Sequence, residues 1–250
     1  MLDKAIIPSK CPVYYVKEVS STNDEAIKLS KNKNMSNFWV IAESQVGGRG
    51  RMGHSWESPK GNLFATLMIN AFFNLNNISQ LSFVTSLSVF ETLKNFININ
   101  ENEVHLKWPN DILVNKKKIS GVLIESKKDK KFLKVIIGIG VNTVKKPNNT
   151  DFDPIALYEC SDKKISNGKF FHTLLTYLDR NIVKLKNNDF MYIRKQWLLN
   201  AIGFNKTISV ECFGKRTITG IFCGLGNGGE LIIKENNKET SIVNGTILEF

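Results

Sequence analysis

Apolar positions along the chain change period repeatedly, and each change marks an element. "YYVKEVSSTNDEAIKLSKN" opens as a strand and continues as an amphipathic helix, with Thr22 and Glu25 at capping-box spacing before the apolar run. "FWVIAES" reads as a strand that delivers a glycine loop, and Leu63 to Ile69 as the strand after that loop. From Leu81 to Ile97, Phe83, Leu87 and Phe90, and also Val89, Leu93 and Phe96, are spaced as on a helix that serves the core. "EVHLKWPNDILVNKKKISGVLIES" and "KFLKVIIGIGVNT" then give three or four strands joined by tight turns, one of them at Asn115 to Lys117. The hairpin-rich pattern predicts an α+β domain.

After the lower-order stretch "KKPNNTDFDPIALYEC", helices are expected around Phe170 to Leu185 and Phe190 to Leu199. From Gly203 onward, short β-rich runs alternate with Gly/Asn turns and the helical period is gone. A small all-β barrel near the lower size limit for independent folding is expected there, leaning on the main domain. The boundaries are 1–202 for the large domain and 203–250 for the small one, with no internal repeat.

At 250 residues the chain is long enough for this division and for a substantial core. No apolar run is long enough to span a bilayer, and "MLDKAIIPSK" lacks the apolar core of a signal peptide. A cytoplasmic protein without a membrane partner is therefore expected. Cys11, Cys160, Cys212 and Cys223 are scattered, and His54, His105 and His172 form no metal-ligand spacing. No resident metal site and no disulfide framework are expected. The net charge of +11 sits largely in short lysine runs next to asparagines, a pattern that an A+T-rich genome also produces. It favours an anionic substrate or acidic partner. A nucleic-acid module would need a basic stripe interleaved with aromatics, which the sequence lacks, so no nucleic-acid partner is expected.

The chemistry begins at "GGRGRMGHSW", Gly47 to Trp56. Gly48, Gly50 and Gly53 fit a dinucleotide-binding spacing, and the stretch comes one lysine short of a P-loop. Both motifs need a helix after the glycines, whereas turn chemistry and the apolar "NLFATLMIN" follow here. About twenty residues on, where an acid would meet a ribose, stands Asn70. Both motif matches are set aside. What remains is either an exposed basic hairpin or a mobile loop whose Arg49 and Arg51 offer positive forks to a carboxylate or phosphate.

"KWPNDI", Lys107 to Ile112, makes a stiff turn that presents an ammonium, an amide and a carboxylate together. Downstream, Lys118 opens a strand in which Gly121 permits close approach, and "IGIGVN" sets Gly138 and Gly140 beside Asn142. Plain structural roles compete with these readings. Trp56 and Trp108 can be core aromatics, Thr22 a helix cap, and Asp111 a holder of its own turn.

In this order and spacing, "SSTN", "GGRGRMGHSW", "KWPNDILVNKKKISGVLIE" and "GIGVN" resemble the biotin protein ligases, over nearly the whole chain from Val13. The resemblance implies a mixed, mostly antiparallel sheet flanked by helices, like the catalytic domains of class II aminoacyl-tRNA synthetases and biotin ligases, with a small C-terminal SH3-like barrel. It also implies a reaction in which biotin and ATP with Mg²⁺ give biotinyl-5′-AMP, whose mixed anhydride is attacked by a lysine of a biotin carboxyl carrier domain. It implies biotin-binding roles for Ser21, Thr22, Asn23, Gln45, Gly48, Arg49, Arg51, Lys118 and Gly121. ATP-binding roles fall to Arg51, Trp56, Asn110, Lys118 and Asn142, and catalytic roles to Lys118, Arg51 and Asp111. Residues 47–56 become a lid over the adenylate. His54 and Met52 depart from the family, which often carries basic residues there, so this lid has less charge. The few residues before the first strand leave no room for a DNA-binding winged helix, so a repressor role is not expected. A monomer or a homodimer fits equally, and a lipoate or octanoate ligase of the same fold is the alternative reading.

Overall fold

The computed structural model describes the chain apart from residues 1–5, 33–36, 72–77, 100, 130, 131, 149, 151, 188, 213 and 215. Its large sheet runs in the order β1-β2-β3-β7-β6-β5-β4. The strands are β1 (Val13–Val19), β2 (Phe38–Gln45), β3 (Leu63–Ala71), β4 (Val104–Lys107), β5 (Asp111–Val114), β6 (Lys117–Asp129) and β7 (Phe132–Val141). The β1–β2 pair is parallel and every other neighbour is antiparallel. The expected α+β class and hairpin-rich sheet are therefore what the chain forms. Asn115 and Lys116 adopt φ of 50° and 64°, as a two-residue hairpin turn requires.

Two clusters of buried side chains separate the faces of this sheet. On one face Trp39, Leu67, Val122, Ile137 and Ile139 pack with α2 (Ile78–Lys94), α3 (Asn167–Lys186) and α4 (Phe190–Leu199). On the other, Val40, Met68 and Ile136 pack with Ala26 of α1 (Thr22–Asn32). Helix α2 begins and ends three residues earlier than its apolar period suggests. Phe96 and Ile97 continue the apolar pattern in a tightened last turn, where Phe96 N–H donates to Leu93 O at 2.9 Å.

The second sheet runs β11-β10-β9-β8-β12, all antiparallel, as expected of an SH3-like barrel. Its strands are β8 (Thr207–Cys212), β9 (Thr217–Leu225), β10 (Leu231–Glu235), β11 (Lys238–Ile242) and β12 (Gly245–Glu249). This second sheet packs against the helices of the large one, since Phe222, Leu231 and Ile247 belong to the same buried cluster as Trp197 and Leu87. Polar ties reinforce the joint. Trp108 Nε1 donates to Gly229 O at 2.9 Å, and Arg194 Nη1 donates to Leu225 O at 3.2 Å. Trp108 is thus a core aromatic, 2% exposed. Among the described residues, no helix is long and apolar enough to cross a membrane.

Candidate active site

The register of five strands builds the floor of a cleft. Phe64, Gly140, Gly121, Asp111 and Lys107 are successive cross-strand partners from β3 to β4, and so lie on one face. Two residues along, Thr66 pairs with Gly138 and Gly138 with Leu123 on that same face. The glycines leave a strip of bare backbone, and flanking groups press onto it. A Cβ at Gly140 would lie 2.7 Å from the Trp56 ring, and one at Gly138 would lie 2.6 Å from Asn23 Oδ1. Strand glycines at close approach are what this geometry demands. The resulting cleft of about 410 Å³ is lined by α1's first residues, the glycine loop, the Trp-Pro-Asn-Asp turn, Phe152, and Thr246 to Leu248 of β12.

One end of the cleft is lined mainly by hydroxyl and amide groups. Gln45 Oε1 accepts from Thr22 N and Thr22 Oγ1 at 2.8 and 3.0 Å, and Gln45 Nε2 donates to Ser58 Oγ at 2.8 Å. Thr66 Oγ1 lies 2.8 Å from Thr22 Oγ1 and 2.6 Å from Asn23 Oδ1. The helix begins one residue before the position that a capping box at Thr22 and Glu25 would give. Ser21 precedes it and its Oγ accepts from Asn23 N at 3.2 Å. Thr22 is therefore not the cap, and its hydroxyl serves the cleft.

The other end is cationic. Lys118 Nζ sits 2.8 Å from Asp111 Oδ1 and over the Phe152 ring at 4.7 Å. Strict alternation with Gly121 would turn Lys118 to the helical face. A register shift between Ile112 and Leu113 corrects this: Ile112 pairs with Ser120 and Leu113 with Lys118, so Ile119 goes to the core and Lys118 to the cleft. Arg51 Nη1 reaches Asn110 Oδ1 at 3.5 Å. Burial pulls the Arg51 pKa below its usual value against the opposing charge of Asp111. Burial likewise lowers Lys107, which lies over the Phe250 ring at 5.5 Å. The turn itself, with a cis Trp108–Pro109 bond, is held by Asn110 Nδ2 donating to Val122 O at 2.6 Å.

Trp56 closes the cleft from above. Its ring stacks on Phe152 at 6.3 Å and 22°, and its buried Nε1 has no hydrogen-bond partner among the described residues. The loop behind it is a small hairpin between two strands, as its sequence requires. Gly50 N donates to His54 O at 2.7 Å, Trp56 N donates to Gly48 O at 2.9 Å, and Met52 and Gly53 take φ of 53° and 82°. Gly48 does not line the cleft; a Cβ there would collide with Trp56 O and Ser58 Oγ, so the close approach of the hairpin's two arms requires a glycine at this position.

The structure thus brings Ser21, Thr22, Asn23, Gln45, Arg49, Arg51, Trp56, Asn110, Asp111, Lys118 and Gly121 to one cleft. It does not bring Asn142 there. That side chain is 0% exposed, with Nδ2 donating to Ile155 O at 3.3 Å and Oδ1 facing Asn62 Nδ2 at 3.5 Å. Lys107, Phe152, Gly138 and the β12 residues join the wall without having been singled out as ligand-facing. Lys107 carried a signal inside its stiff turn, whereas Phe152 sits in an unpatterned connection and β12 arrives only through domain packing.

Residues 15–142 match the biotin/lipoate A/B protein ligase family. A biotin–[acetyl-CoA-carboxylase] ligase of Paracoccus denitrificans is 31% identical over 220 residues, 86% of this chain and 90% of that protein. The bifunctional ligase/repressor BirA of Bacillus subtilis is 29% identical over 228 residues, 87% of this chain and 68% of that protein. Among solved structures, the biotin protein ligase of Aquifex aeolicus in complex with biotin and ATP superposes with a TM-score of 0.78 at 30% identity, covering 94% of this chain and 97% of that one.

Proposed function

The chain belongs to the biotin/lipoate A/B protein ligase family, and from that membership we propose that its cleft joins biotin to ATP and passes the biotinyl group to a protein lysine. The observation that carries the reading is the division of one cleft into a hydroxyl-and-amide end, a glycine floor and a cationic end. Biotin has a cyclic urea, an apolar ring and chain, and a carboxylate. The urea suits the hydroxyl and amide groups of Thr22, Asn23 and Gln45, the apolar part lies along the glycine strip, and the carboxylate ends among Arg51, Lys107 and Lys118.

Activation forces two anions together, so fixed cations in a site that excludes water lower the barrier. Lys118, re-aimed by its bulge and held by Asp111, is the cation for the carboxylate and α-phosphate oxygens. Arg51 and Lys107 take the remaining phosphate charge, and the parallel Trp56 and Phe152 rings offer the adenine a stacking surface. Mg²⁺ commonly uses one or two carboxylates together with substrate phosphates. Asp111, a partly exposed carboxylate at the phosphate end, fits that role with Asn110 beside it, and the ion would neutralise phosphate charge. In the first step a biotin carboxylate oxygen bonds the α-phosphorus and pyrophosphate leaves. In the second the acceptor's neutral lysine nitrogen bonds the carbonyl carbon of the mixed anhydride, AMP leaves with the electrons of the broken C–O bond, and the amine gives up a proton to solvent. The acceptor is a biotin carboxyl carrier domain, and a cytoplasmic setting supplies the ATP. Residues 1–202 form the catalytic domain, and 203–250 close the cleft through β12.

The test is exchange of labelled pyrophosphate into ATP with biotin, lipoate and octanoate in parallel. Exchange that depends on biotin and Mg²⁺ without any acceptor is the expected result. Equal or better exchange with lipoate overturns the substrate.

A further inference from the structure

The two arginines of residues 47–56 stand in opposite electrostatic surroundings. Arg49 Nη1 and Nη2 donate to Asp24 Oδ2 and Oδ1 at 2.5 and 2.8 Å, and Nη2 also reaches Glu125 Oε2 at 3.5 Å. This bidentate fork holds Asp24 below the usual carboxylate range, through the Arg49 hydrogen bond first, and raises Arg49 in turn. One cation faces two carboxylates, so the patch offers nothing to an incoming anion. Arg51, by contrast, is in no ion pair among the described residues; its guanidinium reaches the amide of Asn110, with the Asp111 charge acting from further off. The ligand's negative charge therefore belongs with Arg51, and Arg49 has a different occupation.

That occupation follows from the hairpin. Arg49 pairs with Ser55 across it, and Trp56 follows directly. Fixing the Arg49 side chain to α1 thus fixes the arm that carries Trp56 over the floor. Glu125 Oε2 also accepts from Asn23 Nδ2 at 2.6 Å, so the same acid ties the loop to the hydroxyl-and-amide end of the cleft. Building on the proposed ligase reading, we infer that Asp24 is a positioning residue: through Arg49 it moors the loop over the cleft and sets how long the adenylate is retained. Asp24 is not on the cleft wall, so it acts only through the arginine.

The experiment compares Asp24→Ala, Asp24→Asn, Arg49→Gln and the double variant Asp24→Ala/Arg49→Gln. Amide hydrogen exchange over residues 46–56 is read in the ligand-free protein, and biotin KM, kcat of pyrophosphate exchange and adenylate release are read alongside. Because the pair is half-exposed, loss of Asp24 should speed loop exchange and adenylate release by about three- to tenfold and raise KM, leaving kcat at saturating biotin near wild type. Asp24→Asn keeps an acceptor in the first turn of α1, and should behave like Asp24→Ala even if the latter folds poorly. Arg49→Gln should add much less once Asp24 is gone, only the loss of the longer Glu125 contact. Unchanged loop exchange in both Asp24 variants overturns the mooring, as does an Arg49→Gln effect that is equally large in either background. If biotin supports no exchange in the wild type, the ligase reading fails while the hydrogen-exchange arm still judges the mooring.

Discussion

Along β7, Val135, Ile137, Ile139 and Val141 turn to the face covered by α2, α3 and α4, whereas Ile136, Gly138 and Gly140 turn to the face shared by α1 and the glycine loop. On the first face nearly every position is a branched or aromatic side chain in a continuous core. On the second, α1 covers one end and the rest is left as backbone under Trp56. One strand thus serves the large core with its odd residues, and with its even ones the small core under α1 and, at the two glycines, the floor of the cleft. The separation lets either be changed without the other, because substitutions two residues apart in sequence fall on opposite sides of the sheet from those one apart.

The strongest test of that separation lies on the helical side. Trp197→Ala empties a fully buried site whose indole donates to Ser86 Oγ at 3.0 Å, and should cost about 3–5 kcal/mol of stability. Thermal melting and specific activity per folded molecule read it, and a large fall in kcat of the folded fraction would break the comparison. On the cleft side, Lys118→Ala should lower adenylate formation by about 2.7–4 kcal/mol in the barrier while the melting temperature stays near wild type. Unchanged turnover with an intact fold would remove Lys118 from the mechanism.

A smaller effect is expected of Arg51→Gly, which removes a charge-assisted contact worth roughly 1.5–3 kcal/mol and adds backbone freedom. Biotinyl-AMP should still form but escape and acylate bystander lysines, as adenylate dissociation and labelling of an unrelated protein would reveal. Tight retention without bystander labelling would return the loop to an ordinary glycine turn. Smallest is Gly140→Ala. Its Cβ would displace the Trp56 ring from the floor, a change that should raise ATP KM more than it lowers the melting temperature. A destabilised protein with unchanged KM would place Gly140 among the supports of the fold.

Much of this was legible from local pattern. The periods of β7, α3 and α4, the hairpin turn at Asn115, and the change at Gly203 all depend on neighbours a few residues away. What escaped depends on partners far along the chain. The direction of Lys118 is set by a register shift against β5, which no periodicity within β6 contains. Asn142 follows a glycine pair that faces the cleft, yet its amide is claimed by Ile155 and Asn62. Thr22 carried a plausible local cap, but Gln45 and Thr66, on two other strands, take its hydroxyl into the site. Phe152 lies in a segment without pattern, and the parallel bridge between the nearby Pro154 and Lys118 at the start of β6 brings it over Lys118.

The hydrogen bond from the Trp108 indole to Gly229 joins the turn bearing Asn110 and Asp111 to the turn between β9 and β10. A ligand lying between that turn and β12 is in contact with both domains at once, so its binding energy is shared by both. Thermodynamic linkage then makes the barrel report on the cleft: nucleotide at 100 times its dissociation constant adds about 2.7 kcal/mol to the unfolding of whatever melts together with the site. Heating should give a single calorimetric transition, and the tryptophans of the large domain and the β-signal of the small one should move up by the same number of degrees when substrate is added.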